Sequence, residues 1–309
     1  MRGYLARIPA IGALAALILL VIVNAIVTPN FATTANALNI LWQASSVVLV
    51  GIGMTLVIGT SGIDLSVGSV MAIAGAVAAV QLAHGVALAI VLALAAAILV
   101  GTVNGSLASR VGVQPIVVTL ATLIAGRGLA QVLSNGGELV PIRNASFDAL
   151  GRGALLGVPV PVLVAALCLA AAAFMMRASV FGRYVVAVGG NRRAARLAGV
   201  PVTRTIISAY VLSALLAGVA GLLEVARVGA SDAAKLGLNV ELDAIAATVV
   251  GGTVLTGGRV TILGTVIGAL VMQVIATSFN MLLLPYAWSM VFKAGITVVA
   301  VYLQRNRAS

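Results

Sequence analysis

The segment Val86–Val103 reads VALAIVLALAAAILVGTV without a single charge, and comparable runs recur along the whole chain. A helix rises about 1.5 Å per residue, so such a run is long enough to traverse most of a hydrocarbon layer about 30 Å thick. The runs are continuous, not alternating, which excludes the dyad pattern of a transmembrane barrel. Composition closes off the soluble alternatives. Hydrophobic residues make up 62% of the 309 and charged residues 8%, with a mean hydropathy of +1.20. A soluble surface needs roughly a quarter of its residues charged. A disordered chain lacks this apolar content. The expected fold is all-α, a polytopic transmembrane bundle whose 34 glycines allow close helix contact.

Ten spans are expected. They lie near Ala10–Val27, Asn39–Gly59, Asp64–Ala83, Val86–Val103, Pro115–Leu133, Val158–Met176, Ile206–Ala226, Asp243–Leu255, Val260–Phe279 and Tyr286–Leu303. The first could pass for a signal peptide, since Ala35-Asn36-Ala37 has the A-x-A form. Its apolar region is too long and the A-x-A lies well past its end, so it reads as an uncleaved helix. The eighth is short and rich in glycine.

The net charge of +11 is a topology signal, not a nucleic-acid signal. With the N-terminus inside, Arg2, Arg7, Arg110, Arg177, Arg183, Arg192, Arg193, Arg196, Arg204, Arg259, Arg305 and Arg307 all fall on the cytoplasmic side. Only Arg143, Arg152, Arg227 and Lys235 fall outside, with Arg127 and Lys293 inside spans. The bias places both termini in the cytoplasm and requires an even number of spans. Glu138, Asp148, Asp232, Glu241 and Asp243 are assigned to the outer side, where Ser134–Gly157 and Arg227–Asp243 form the two hydrophilic segments.

Catalytic chemistry is sparse. No phosphate-cradling P-loop occurs, since Lys235 and Lys293 are followed by Leu and Ala. Cys168 is the one cysteine and His84 the one histidine, which leaves no metal cluster and no general acid–base set. The expectation is a chain that is not an enzyme and binds no cofactor. Polar residues that should be costly in lipid stand out instead: Gln43, Asp64, Asn104, Arg127, Gln273, Asn280 and Lys293. Asp64 has two readings, an N-cap at a tight helical hairpin or part of a broken helix beside a permeation path. Asn104 lies in Gly101-Thr-Val-Asn-Gly105, whose small-xxx-small pattern predicts a packing face, as does Gly264-Thr-Val-Ile-Gly268. Arg127 and Lys293 either face a water-filled cavity or snorkel.

The inner segment Arg177–Arg204 holds six arginines and no acid. Within it Asn191 is expected to cap a short helix ending at Gly199, ahead of Pro201. Anchoring on anionic lipid and docking of a partner both fit this helix. Thr55–Thr60 is similar to Thr248–Thr253, and Gly62–Val70 to Gly258–Val266. That reads as an internal repeat with units near 47–83 and 241–280, against chance matching in a chain so rich in Gly, Val and Thr.

GIDLSVGSVMAIAGAVAA (Gly62–Ala79), GVQPIVVTLATLIAGRGLAQ (Gly112–Gln131), AVGGNRRAARLAGVPV (Ala187–Val202) and ELDAIAATVVGGTVLTGGR (Glu241–Arg259) together resemble the inner-membrane permease subunits of bacterial ATP-binding-cassette (ABC) sugar importers. The likeness is to the ribose/xylose/galactose type, and AGRGLAQ is most similar to the galactofuranose permeases. It runs in order from about Val48 to Val301. The resemblance implies one permease domain over residues 1–309 that moves a monosaccharide by alternating access. It also implies cytoplasmic ABC ATPases that carry ATP and Mg, a periplasmic sugar-binding protein, and a second permease, identical or paralogous, in the lipid of the inner membrane. Gly189, Gly190, Asn191, Ala194, Ala195 and Gly199 match the family segment that docks the ATPase, in a coupling loop spanning 177–204. Arg192-Arg193 depart from it, since relatives often carry an acid there. Gln43, Asp64, Asn104, Gln273 and Asn280 are the expected path residues, because a sugar path needs neutral hydrogen-bonding groups. The competing class is an ion-coupled secondary transporter with Asp64 as its cation or proton site.

Overall fold

The long apolar runs fold as helices throughout the computed structural model, which describes residues 9–305. Arg2, Arg7 and Arg307 of the charge count lie outside the described residues. Among those described, thirteen α-helices follow in order. They are α1 (Pro9–Val27), α2 (Thr34–Gly59), α3 (Val67–Gln81), α4 (Val86–Ser106), α5 (Pro115–Leu133), α6 (Ala145–Arg152) and α7 (Val160–Ala178). The rest are α8 (Val180–Gly190), α9 (Arg192–Leu197), α10 (Val202–Val228), α11 (Val240–Val250), α12 (Ile262–Met281) and α13 (Tyr286–Arg305). Seven helical stretches are long and apolar enough to cross a membrane, and α1 and α13 carry slightly shorter apolar stretches.

Three expectations change. The eighth span, Asp243–Leu255, is helical only in part: α11 has 11 residues, about 17 Å of rise, followed by irregular chain over 251–261. Gly252, Gly257 and Gly258 in that segment have φ of +91°, +87° and +74°, which no continuing helix accommodates. The third span begins at Val67 and not at Asp64, which sits in the irregular segment after α2. The arginine-rich loop contains a second helix, α8, that the sequence reading left out.

The core lies where α10 packs on α2, α3 and α4. Glycine sets these distances. A Cβ at Gly101 would stand 2.6 Å from the Tyr210 carbonyl, and one at Gly105 2.7 Å from the Ile207 Cα. A Cβ at Gly264 or Gly268 would fall on the backbone of Gly251 or Ala247. Both small-xxx-small faces are therefore helix contacts, as expected. Exposed Val91, Leu99, Ile124, Leu167 and Phe174 on α4, α5 and α7 suit a lipid surround. Cys168 is half-buried within α7, and His84 ends a short 3-10 turn in an exposed loop.

At the end away from the arginine-rich segment 177–204, the two hydrophilic segments pair. Strand β1 (Val140–Pro141) runs antiparallel to β4 (Ala230–Ser231), with Val140 opposite Ser231. Between them lies a hairpin of β2 (Ala154–Leu155) and β3 (Val158–Pro159). Asn144 caps α6 by accepting from the Ser146 and Phe147 amides. Trp42 Nε1 donates to the Gly151 carbonyl (2.9 Å), and the Arg152 guanidinium donates to the Arg227 and Val228 carbonyls, each 2.9 Å away, so α6 is fastened across the bundle end.

Candidate functional site

The arginine-rich end is built around three backbones. The Gly258 amide donates to the Gly59 carbonyl (3.2 Å). Gly189, next to last in α8, lies so close to both that a Cβ there would overlap Gly59 O and Gly258 N. Ser61 Oγ stands 2.9 Å from the Gly189 carbonyl and 2.8 Å from that of Thr256. The chain then turns at Asn191, whose Oδ1 accepts from the Arg193 and Ala194 amides (both 3.0 Å), the capping arrangement expected for α9. Gly199 at φ +79° ends that helix. Ala195 is buried against the bundle, while Ala194, Arg193, Arg196 and Leu197 face outward. Arg192 reaches back to the Thr60 carbonyl (3.2 Å). A Cβ at Gly190 would point into open space. A short capped helix with an exposed basic and apolar face is thus joined rigidly to the ends of α2 and α8 and to segment 251–261.

Asp64 and Asn104 belong together, in a closed polar network. Asp64 is 1% exposed. Its Oδ1 accepts from the Ser66 hydroxyl (2.6 Å) and amide (3.1 Å), and its Oδ2 from the Ser213 hydroxyl (2.9 Å). Asn104 Nδ2 donates to Ser66 Oγ (2.9 Å), and its Oδ1 accepts from Thr122 (2.6 Å). The Ile63 carbonyl accepts from Thr119 (3.1 Å) and Tyr210 (3.4 Å). The break between α2 and α3 is therefore clamped by α4, α5 and α10. Buried polar groups satisfied in this way fix a unique local geometry. Asp64 is not the side-chain cap of α3, since the cap residue is Ser66 and it makes no side-chain cap bond.

Gln43, Gln273 and Asn280 form a second group, separate from Asp64 and Asn104. Gln273 Nε2 donates to Gln43 Oε1 (3.1 Å), and Gln43 Nε2 donates to Asn39 Oδ1 (2.9 Å). Gln43, Thr277, Asn280 and Tyr286 line a cavity of about 340 Å³ with Phe279 and Leu284. The two basic residues expected inside spans are held by protein. Lys293 is 7% exposed and bonds both Asp243 oxygens, at 3.0 and 2.8 Å. Arg127 donates to the Ala233 and Leu236 carbonyls and is not free in a cavity. Ser66, Thr122 and Ser213 went unread in the sequence because serines and threonines are common in helices. Tyr286 went unread as the aromatic that opens a span.

A family profile described as the permease component of branched-chain amino acid transport systems matches residues 36–301. The ribose import permease protein RbsC of Escherichia coli strain K12 is 41% identical over 301 residues, covering 95% of this chain and 93% of that one. The galactofuranose transporter permease protein YtfT of the same strain is 40% identical over 304 residues, covering 95% and 89%. The L-arabinose ABC transporter permease protein AraH of Azospirillum brasilense is 35% identical over 281 residues, covering 90% and 82%. No solved structure matches the chain. The helical bundle, the match across almost all of it and relatives aligned end to end lead to one assignment: the chain belongs to the family of ABC transporter permease components, integral membrane transport subunits and not enzymes.

Proposed function

We propose that this permease carries a monosaccharide, galactofuranose or a related pentose or hexose, across the inner membrane by alternating access. The observation that carries the reading is the cavity lined by Gln43, Thr277, Asn280 and Tyr286, whose polar side chains are neutral hydrogen-bonding groups. Neutral donors and acceptors match hydroxyls. The relatives named for ribose, galactofuranose and arabinose point the same way, although the family description names amino acids.

The remaining assignments follow from charge and shape. The arginine-rich end and both termini face the cytoplasm, where α9 and the joint beneath it receive an ABC ATPase that holds ATP and Mg; this chain itself binds no cofactor. The paired hydrophilic segments receive a periplasmic sugar-binding protein. A second permease, identical or paralogous, completes the path. Residues 1–309 form one transmembrane domain. Its units near 47–83 and 241–280 are a duplicated helix–break–helix, and both breaks meet at the arginine-rich end through Gly59 and Gly258. The ion-coupled alternative has no support, because every oxygen of Asp64 is engaged by serine.

Proteoliposomes containing the permease, its ATPase and its binding protein provide the test. Uptake of labelled D-ribose, L-arabinose or D-galactose should require ATP and ignore an uncoupler. Gln43→Leu and Asn280→Leu should each lower it about ten-fold, the worth of one hydrogen bond of about 1.4 kcal/mol. Uptake that proceeds without ATP and collapses with the uncoupler would refute the proposal.

A further inference from the structure

The amide cavity does not end at Tyr286. The same tyrosine lines a larger cavity of about 590 Å³ between α11 and α13, with Asn239, Asp243, Lys293 and Thr297 among its walls. We infer that the Asp243–Lys293 pair, flanked by Tyr286, is a second subsite of the path, built to take two adjacent hydroxyls of the sugar. The inference rests on the function proposed above and adds Asp243 and Lys293, which that proposal does not use.

The chemistry of the pair supports this. Lys293 is almost fully buried, and both of its hydrogen bonds go to one carboxylate. An ammonium has three N–H donors, and each carboxylate oxygen has a second lone pair. Among the described residues nothing else bonds the Lys293 nitrogen or the Asp243 oxygens. The buried ammonium needs further hydrogen bonds to offset its loss of water, and intramembrane charges mark transport paths by default. The polar neighbours are also unspent: the Asn239 and Asn280 amides and the Tyr286 hydroxyl make no side-chain hydrogen bond within the described residues. Open bonding capacity therefore converges on two cavities that share a wall.

A vicinal diol answers that capacity. One hydroxyl donates to an Asp243 oxygen while its neighbour accepts from Lys293, and the Tyr286 ring offers an apolar face with a polar tip to the C–H side of the sugar. The pair also bridges α11 to α13, so a purely mechanical strut is the reading to be excluded.

Saturation-transfer NMR on the purified permease in lipid nanodiscs separates the two. The probes are D-ribose, L-arabinose, D-galactose and L-leucine, with the 2-deoxy and 3-deoxy forms of whichever sugar binds. Wild type should bind at least one sugar and lose about ten-fold in affinity for one of its deoxy forms. The double variant Asp243→Asn, Lys293→Gln should bind the parent sugar and that deoxy form equally, an effect a strut would not produce. Lys293→Arg retains the ion pair, and with it the bridge between helices, yet should weaken sugar binding. Elution as a single species in size-exclusion chromatography verifies that each variant is folded. If the double variant still distinguishes parent from deoxy sugar as wild type does, the subsite is refuted while the proposed function stands, provided Gln43→Leu weakens binding. Binding of leucine in place of every sugar, or of no probe at all, overturns the subsite; the leucine outcome overturns the proposed substrate class as well.

Discussion

Gly189 and Gly190 are neighbours at the end of α8, yet alanine should have opposite effects at the two positions. At Gly189 the added methyl overlaps Gly59 O and Gly258 N, both backbone atoms of other segments, so no side chain can rotate aside. Overpacking of this kind costs about 1–3 kcal/mol. Separating the two segments also removes the Gly258–Gly59 hydrogen bond, worth about 1 kcal/mol. Replacing a helical glycine by alanine returns up to about 1 kcal/mol, leaving Gly189→Ala destabilised by roughly 1–3 kcal/mol. At Gly190 nothing lies within 4 Å of the new methyl, so only the favourable contribution remains. Thermal unfolding of the two purified variants in one detergent, followed by loss of the monodisperse peak, makes the comparison directly. Gly190→Ala should match or exceed wild type, and Gly189→Ala should melt several degrees lower. Because Gly189 sits in the proposed coupling joint, its variant should also hydrolyse ATP in the assembled transporter with less sugar moved per ATP. Equal melting of the two variants would refute the steric reasoning.

Three further outcomes follow from other contacts. Ser66→Ala removes a hydroxyl that bonds Asp64 and receives Asn104, so it should cost about 2–3 kcal/mol and exceed Ser213→Ala, which removes one bond, in the same melting assay. Asn191→Ala strips the cap from α9 at about 1 kcal/mol; ATPase stimulation by the permease should fall while sugar binding to the purified permease stays unchanged. Thr55 and Thr265 share a hydrogen bond at 2.7 Å between α2 and α12. A double-mutant cycle with Val at both should return a coupling of about 0.5–1.5 kcal/mol by reversible unfolding in mixed micelles.

What could be read from sequence was what is decided locally. The α9 cap needed only Asn191 and the amides two and three residues after it, and Gly199 with Pro201 marked its end. The packing glycines of α4 were legible because their spacing alone places them on one helix face. Asp64 was legible as important but not in its role, because Ser213 lies 149 residues away and no periodicity predicts that partner. The same holds for Lys293, whose carboxylate lies 50 residues back. The irregular second half of the eighth span was not legible, because hydropathy measures transfer from water, and irregular chain buried in protein is as apolar as a continuous helix. Its glycines were visible, but their left-handed φ values were not.

The two candidate regions are joined by the helices that build them. α2 carries Gln43 in its first half and Gly59 at its last position, separated by about 24 Å of helical rise. α12 carries Gln273 and Asn280, and its first residue follows directly on segment 251–261, which holds Gly258. Both helices that furnish the amide cavity are therefore anchored in the joint on which α8 and α9 rest. A rigid-body tilt of α2 by about 10° about Gly59 would displace Gln43 by about 4 Å, enough to break its bond to Gln273. Asp64, clamped immediately after that pivot by Ser66 and Ser213, keeps the following chain from yielding. In the proposed cycle its clamped side chain serves as the fixed side of a hinge, which accounts for an acidic residue deep in the bundle without assigning it an ion.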